Sequence, residues 1–131
     1  MMLIRVSASM SLAAAILLSV RIANAVEVPL TDLTIDASFN GASAVHVADI
    51  DGDGDLDVIG SCFGANDVAW WENDAGDGST WTKRTIDADF EGANSLDVVD
   101  MDGDGDLDVL GTALRGDAVV WWENWFGTGG V

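Results

Sequence analysis

The chain is poor in the residues from which most active sites and nucleic-acid surfaces are built. Its 131 residues include one histidine, no tyrosine, and only five lysines and arginines against 23 acids. With so few bases there is no cluster to stabilise a developing anion, and no base–nucleophile pair surrounds His46, so the chain reads as non-catalytic. An acidic surface of this kind repels nucleic acid and anionic lipid at long range, which argues against both as partners. The single cysteine, Cys62, cannot close an internal disulfide. No stretch beyond Ala25 keeps a helical period, which excludes a helical bundle or solenoid.

Residues 1–25 have the make-up of a signal peptide: Arg5 near the start, an apolar run over 12–20, and Ala23-Asn24-Ala25 as a small-x-small cleavage site. The run is too short to span a bilayer, and no cysteine directly follows Ala25 to carry a lipid anchor. The expectation is a mature chain of residues 26–131, secreted or at the cell surface, with no membrane insertion after cleavage. Cleavage removes Arg5 and Arg21 and no acids, taking the formal charge from -18 to -20.

Much of that charge sits in two short stretches. Residues 49–57 read Asp-Ile-Asp-Gly-Asp-Gly-Asp-Leu-Asp, and residues 100–108 read Asp-Met-Asp-Gly-Asp-Gly-Asp-Leu-Asp. Carboxylates this close repel one another, and a hard divalent cation with oxygen ligands relieves the repulsion most directly. Calcium is expected at two sites. The first would use the side chains of Asp49, Asp51, Asp53 and Asp57 with the backbone carbonyl of Asp55; the second would use Asp100, Asp102, Asp104 and Asp108 with the carbonyl of Asp106. Magnesium fits less well because it demands a smaller, stricter octahedron. Gly52, Gly54, Gly103 and Gly105 are expected at positive φ, curling the carboxylates around one point.

An EF-hand shares this opening but needs a bidentate Glu at position twelve and flanking helices. Position twelve is Gly60 in one loop and Gly111 in the other, and the residues leaving each loop alternate as strands do. A merely solvated acidic turn is the plainer alternative, and two copies at one spacing weigh against it.

The loops belong to a longer repeat. Residues 35–73 align without a gap on residues 86–124 at an offset of 51, sharing Ile-Asp-Ala, Phe-x-Gly-Ala, the Asp loop and Trp-Trp-Glu-Asn. Short alternating runs separated by Gly and Asp turns at this period point to propeller blades. The fold class is therefore all-β: two four-stranded β-propeller blades, repeats of about 35–85 and 86–131, preceded by a strand over 30–36. His46 is replaced by Asp97 in the second copy and Cys62 by Ala113, which favours structural readings of both. Alternation sends Trp70 and Trp71, and likewise Trp121 and Trp122, to opposite faces. One ring of each pair is expected between blades, and the other is either core or an exposed platform for a sugar or partner.

The Asp-x-Asp-Gly-Asp-Gly-x-x-Asp loop followed by Leu-Asp-Val resembles the FG-GAP repeats of integrin alpha chains. With the Trp-Trp-Glu-Asn strand and the Gly-rich turn after it, the chain is similar to the bacterial VCBS-type branch. The resemblance implies a β-propeller on secreted or surface proteins, with calcium in the loop between the first two strands of each blade, held by the ten aspartates named above. Propellers of this kind usually close with roughly four to eight blades, whereas this chain has two repeats, so an incomplete propeller or part of an oligomeric ring is expected. The leading functional expectation is a non-catalytic calcium-binding module for adhesion to, or recognition of, an extracellular protein or glycan. The alternatives are a propeller scaffold of a polysaccharide-active enzyme, and a purely structural calcium-dependent assembly unit or fragment of a larger surface protein. A homo-oligomer completing a propeller is a further expectation, with 30–36 serving as the outer strand of another blade.

Overall fold

A computed structural model describes residues 30–125. The expected signal peptide, residues 1–25, and the Gly-rich stretch after Trp125 lie outside these residues. Seven strands run in chain order: β1 (Ala42–Ala48), β2 (Asp57–Cys62), β3 (Asp67–Asn73), β4 (Trp81–Asp87), β5 (Ala93–Val99), β6 (Asp108–Ala113) and β7 (Ala118–Trp122). They form two antiparallel sheets, one of four strands ordered β1-β2-β3-β4 and one of three ordered β5-β6-β7. Each is a meander built from β-branched and aromatic residues in alternation, which suits a pleated surface buried on one or both sides.

Two expectations differ from the structure. Among the described residues the second sheet has three strands rather than four, and the positions that match Trp81–Asp87 at the 51-residue offset are not among them. No strand forms over 30–36. Its repeat counterpart, β4, is held by pairing along β3, and the described residues place no such strand ahead of β1 for 30–36 to pair with.

The registers of the two sheets match. Val47, Val58 and Trp71 lie side by side across β1, β2 and β3, as do Val98, Val109 and Trp122 across β5, β6 and β7. A bulge falls at Ala42/Ala44 in one sheet and at Ala93/Ser95 in the other. The turns leaving β2 and β6 each put an Asx residue at positive φ, Asn66 (59°) and Asp117 (46°), a region these short polar side chains tolerate.

The core lies between the sheets. Ile59 and Val68, both 0% exposed, project with Ala48, Trp70 and Ile86 from one face of the first sheet. They meet Leu96, Val98, Val109, Ala113, Val120 and Trp122 from the second. Polar groups cross the same interface: Ser43 Oγ donates to the Ala93 carbonyl (2.8 Å), Gly92 N–H to Asn66 Oδ1 (2.9 Å), Phe90 N–H to the Asn66 carbonyl (2.8 Å), and Asn124 Nδ2 to the Ile50 carbonyl (2.8 Å).

Each Trp pair splits across its sheet as alternation requires. Trp71 and Trp122 stand over Gly60 and Gly111, so close that a Cβ on either glycine would come within 2.9 or 2.6 Å of the indole. Phe39 and Phe90, from the shared Phe-x-Gly-Ala segment, meet those indoles edge-on at 4.8 and 4.9 Å between centroids. Their neighbours Trp70 and Trp121 point the other way; Trp70 is half-buried in the core, and Trp121 is exposed. Cys62 is fully buried and its thiol donates to the Asn40 carbonyl, in keeping with a structural role.

Candidate metal centres

Each acidic stretch links the first two strands of its sheet, β1 to β2 or β5 to β6, so both loops emerge at the same place in the repeat. Gly52, Gly54, Gly103 and Gly105 take φ values of 76°, 98°, 82° and 105°, the left-handed region expected of them. With those dihedrals the chain curls so that each carboxylate accepts a backbone N–H further along. Asp49 Oδ2 accepts from Gly54 (3.0 Å), Asp51 Oδ1 from Asp53 (3.2 Å) and Asp53 Oδ1 from Asp55 (2.8 Å). The second loop repeats the pattern, Asp100 Oδ2 from Gly105 (3.2 Å), Asp102 Oδ1 from Asp104 (3.1 Å) and Asp104 Oδ1 from Asp106 (2.9 Å).

This winding gathers oxygens from three carboxylates in each loop, all within 4.8 Å of one another: Asp49, Asp51 and Asp57 in the first, Asp100, Asp102 and Asp104 in the second. Asp49 Oδ1 is buried and accepts no hydrogen bond. An orphaned, buried carboxylate oxygen among other carboxylates is an arrangement a cation completes. Burial, with the charges of Asp53, Glu72 and Asp49 nearby, holds the Asp51 carboxyl above its ordinary value. The donor set, all oxygen and mostly anionic, fits a hard divalent ion of the calcium type. Asp53, Asp55 and Asp106 stay in the loops beside these clusters.

The aspartates at position nine have a second task. Asp57 and Asp108 are each 1% exposed. Asp57 Oδ1 accepts the Asn73 N–H (2.9 Å) and Oδ2 the Ile50 N–H (3.3 Å); Asp108 takes the Asn124 N–H (2.8 Å) and the Met101 N–H (3.0 Å) in the same way. They tie the mouth of each loop to the end of the Trp-Trp strand. Burial raises the Asp57 carboxyl, offset in part by those two N–H bonds.

Asn73 and Asn124, the last residues of Trp-Trp-Glu-Asn, complete the frame. Their Nδ2 groups donate to the Leu56 (3.3 Å) and Leu107 (3.0 Å) carbonyls, and Asn73 Oδ1 accepts the Gly78 N–H (2.9 Å) of the turn beyond β3. The repeat of the motif marked both positions without revealing this role. His46 lies on β1, outside the loops. The described basic side chains are engaged elsewhere: Lys83 Nζ on Asp67 (2.7 Å), Arg84 Nε on Glu72 (2.6 Å), and the Arg115 guanidinium over the Phe63 ring (4.3 Å).

A cleft of about 500 Å³ reaches Ile50 and Asp51 of the first acidic loop and is lined further by Trp70, Arg84, Ile86, Trp122 and Trp125. It opens between the face of β4 and the residues that end β7. Among the described residues no helix is long and apolar enough to cross a membrane.

Neither a curated protein nor a solved structure matches the chain. Residues 49–111, which run from the head of the first acidic loop into β6 and include β2 to β5, match the family model of the FG-GAP-like repeat.

Proposed function

We propose that the chain is a calcium-binding propeller-type repeat module, secreted or at the cell surface, that acts in adhesion or recognition and not in catalysis. The observation that carries the reading is the pair of loops. Each winds three of its carboxylates to within 4.8 Å of one another, and the first buries an oxygen with no partner. An acidic cluster in the same loop of both copies of the 51-residue repeat, in a chain that matches the FG-GAP-like repeat over 49–111, is what a calcium site in each blade requires. Calcium would neutralise the clusters and so stabilise the first two strands of each sheet against their own repulsion.

A non-catalytic role is supported by the engagement of the basic groups. Lys83 and Arg84 are paired with carboxylates, so neither stands ready to stabilise an anion on a polysaccharide. The ligand would be an extracellular protein or glycan.

Isothermal titration of the chelator-treated protein with calcium chloride tests the metal reading. Two sites are expected, one lost in Asp51→Ala and the other in Asp102→Ala. No heat in the unaltered chain, with melting unmoved by calcium, would overturn it.

A further inference from the structure

Each sheet has one covered face and one open face, and the open faces are repeat counterparts of the covered ones. On the first sheet, the face carrying Ala48, Ile59, Val68 and Trp70 is buried against the second sheet. At the 51-residue offset these positions are Val99, Leu110, Val119 and Trp121. All four are apolar, yet Val99, Val119 and Trp121 are 40%, 78% and 43% exposed. In the other direction, Leu96 and Val98 of β5 pack into the core, whereas their counterparts Val45 and Val47 are 71% and 53% exposed.

The polar contacts between the sheets can be repeated too. Asn66, which accepts the Phe90 and Gly92 N–H groups, corresponds to Asp117, which offers the same carbonyl and a carboxylate acceptor; the matching donors are Phe39 and Gly41. Ser43, donor to the Ala93 carbonyl, corresponds to Asn94, also a donor, facing Ala42. Asn124, donor to the Ile50 carbonyl, corresponds to Asn73, facing Met101. Every partner in the interface inside the chain therefore has a chemically competent counterpart on the two open faces.

We infer that a second copy of this chain docks head to tail, laying its Val45/Val47 face on the Val119/Trp121 face of the first and reproducing the interface between β1–β4 and β5–β7. The contact is heterologous, one surface against a different one, so it propagates until a ring closes. Sheet edges lead to the same arrangement. The outer edge of β7 pairs with no strand among the described residues, whereas the outer edge of the corresponding strand, β3, pairs with β4. In the intact chain β4 precedes β5 by a short link and completes the sheet on which β5 packs. In the docked pair, residues 30–36 of the second copy stand in the same relation to β7, and Thr34-Ile35-Asp36 repeats Thr85-Ile86-Asp87 of β4. The strand would run through the cleft between β4 and β7. This docking follows from the equivalence of the repeats and needs no calcium.

Light scattering of the full mature chain over a concentration series tests the inference, using Val45→Asp and Val119→Asp, two substitutions at exposed positions that leave the acidic loops intact. The unaltered chain is expected to form a discrete oligomer of more than one chain mass. Each variant alone, with far-ultraviolet dichroism unchanged, is expected to stay at one chain mass, because one of its two docking faces is blocked. An equimolar mixture is expected to reach twice that mass, since Val45→Asp keeps the Val119 face and Val119→Asp keeps the Val45 face. A monomeric unaltered chain would overturn the inference and leave the faces to another partner. Variants that oligomerise as the unaltered chain does, or a mixture that stays at one chain mass, would overturn it as well. Calcium titration of the same samples is read separately, so a failure of the metal reading is distinguishable from a failure of assembly.

Discussion

The Asp57 carboxylate accepts the backbone N–H of Asn73 at 2.9 Å, and the Asn73 side chain returns to the Leu56 carbonyl, one residue before Asp57. The start of β2 and the end of β3 are thereby closed on each other beneath the first acidic loop. Asp57→Ala would leave the Ile50 and Asn73 N–H groups without this acceptor. At about 1–3 kcal/mol for a buried group left unsatisfied, the variant should be destabilised by a few kcal/mol even in chelator. Urea unfolding followed by tryptophan fluorescence checks this, and an unchanged midpoint in chelator would contradict it.

Asp51 differs in kind from Asp57, because its carboxylate sits in the loop cluster without joining the strand ends. In chelator, Asp51→Ala should unfold within about 0.5 kcal/mol of the unaltered chain. In calcium at a hundredfold excess over Kd it should lack the roughly 2.7 kcal/mol that a single occupied site adds. Asp102→Ala should behave alike through the second loop. Melting curves of both variants with and without calcium make the comparison, and an equal response to calcium in variant and unaltered chain would count against it.

Gly111→Ala should be destabilising by about 1–3 kcal/mol, because its new methyl would lie 2.6 Å from the Trp122 ring and 3.1 Å from Phe90. Gly60→Ala meets Trp71 at 2.9 Å and should behave in the same direction. Chemical denaturation of the two variants gives the values, and stability equal to the unaltered chain would mean that the rings yield.

Leu96 and Val45 occupy the same repeat position in opposite surroundings. Leu96→Ala should lower stability by about 2 kcal/mol through lost packing in the core. Val45→Ala, at 71% exposure, should stay within about 0.5 kcal/mol when measured at dilution. Equal effects at both positions under dilute conditions would contradict this account of the core.

That last pair shows how far the sequence could be read. The alternation of Val45 and Val47, or Leu96 and Val98, marks β1 and β5 and puts each pair on one face, because a period of two is a local property. Which face is buried is not local; it depends on whether another sheet lies there, and the repeats look alike on that point. The acidic loops were legible for a related reason, since spacing and glycine placement specify the fold of a nine-residue segment almost alone. Asn73 and Asn124 were not, because their partners are backbone carbonyls that leave no mark in residue type; the Ile50 carbonyl lies 74 positions from Asn124. The expected strand over 30–36 looked like β4 in composition, but a strand also needs an edge to pair with.

Asn124 has a wider consequence. Its amide nitrogen donates both to the Leu107 carbonyl, inside the second acidic loop, and to the Ile50 carbonyl, inside the first. One nitrogen atom thus joins the two loops, beside the separate hold that Asn73 and Asp57 keep on the first. Losing this one side chain would free a backbone carbonyl in each acidic loop at once, so a single amide is common to the frames of both.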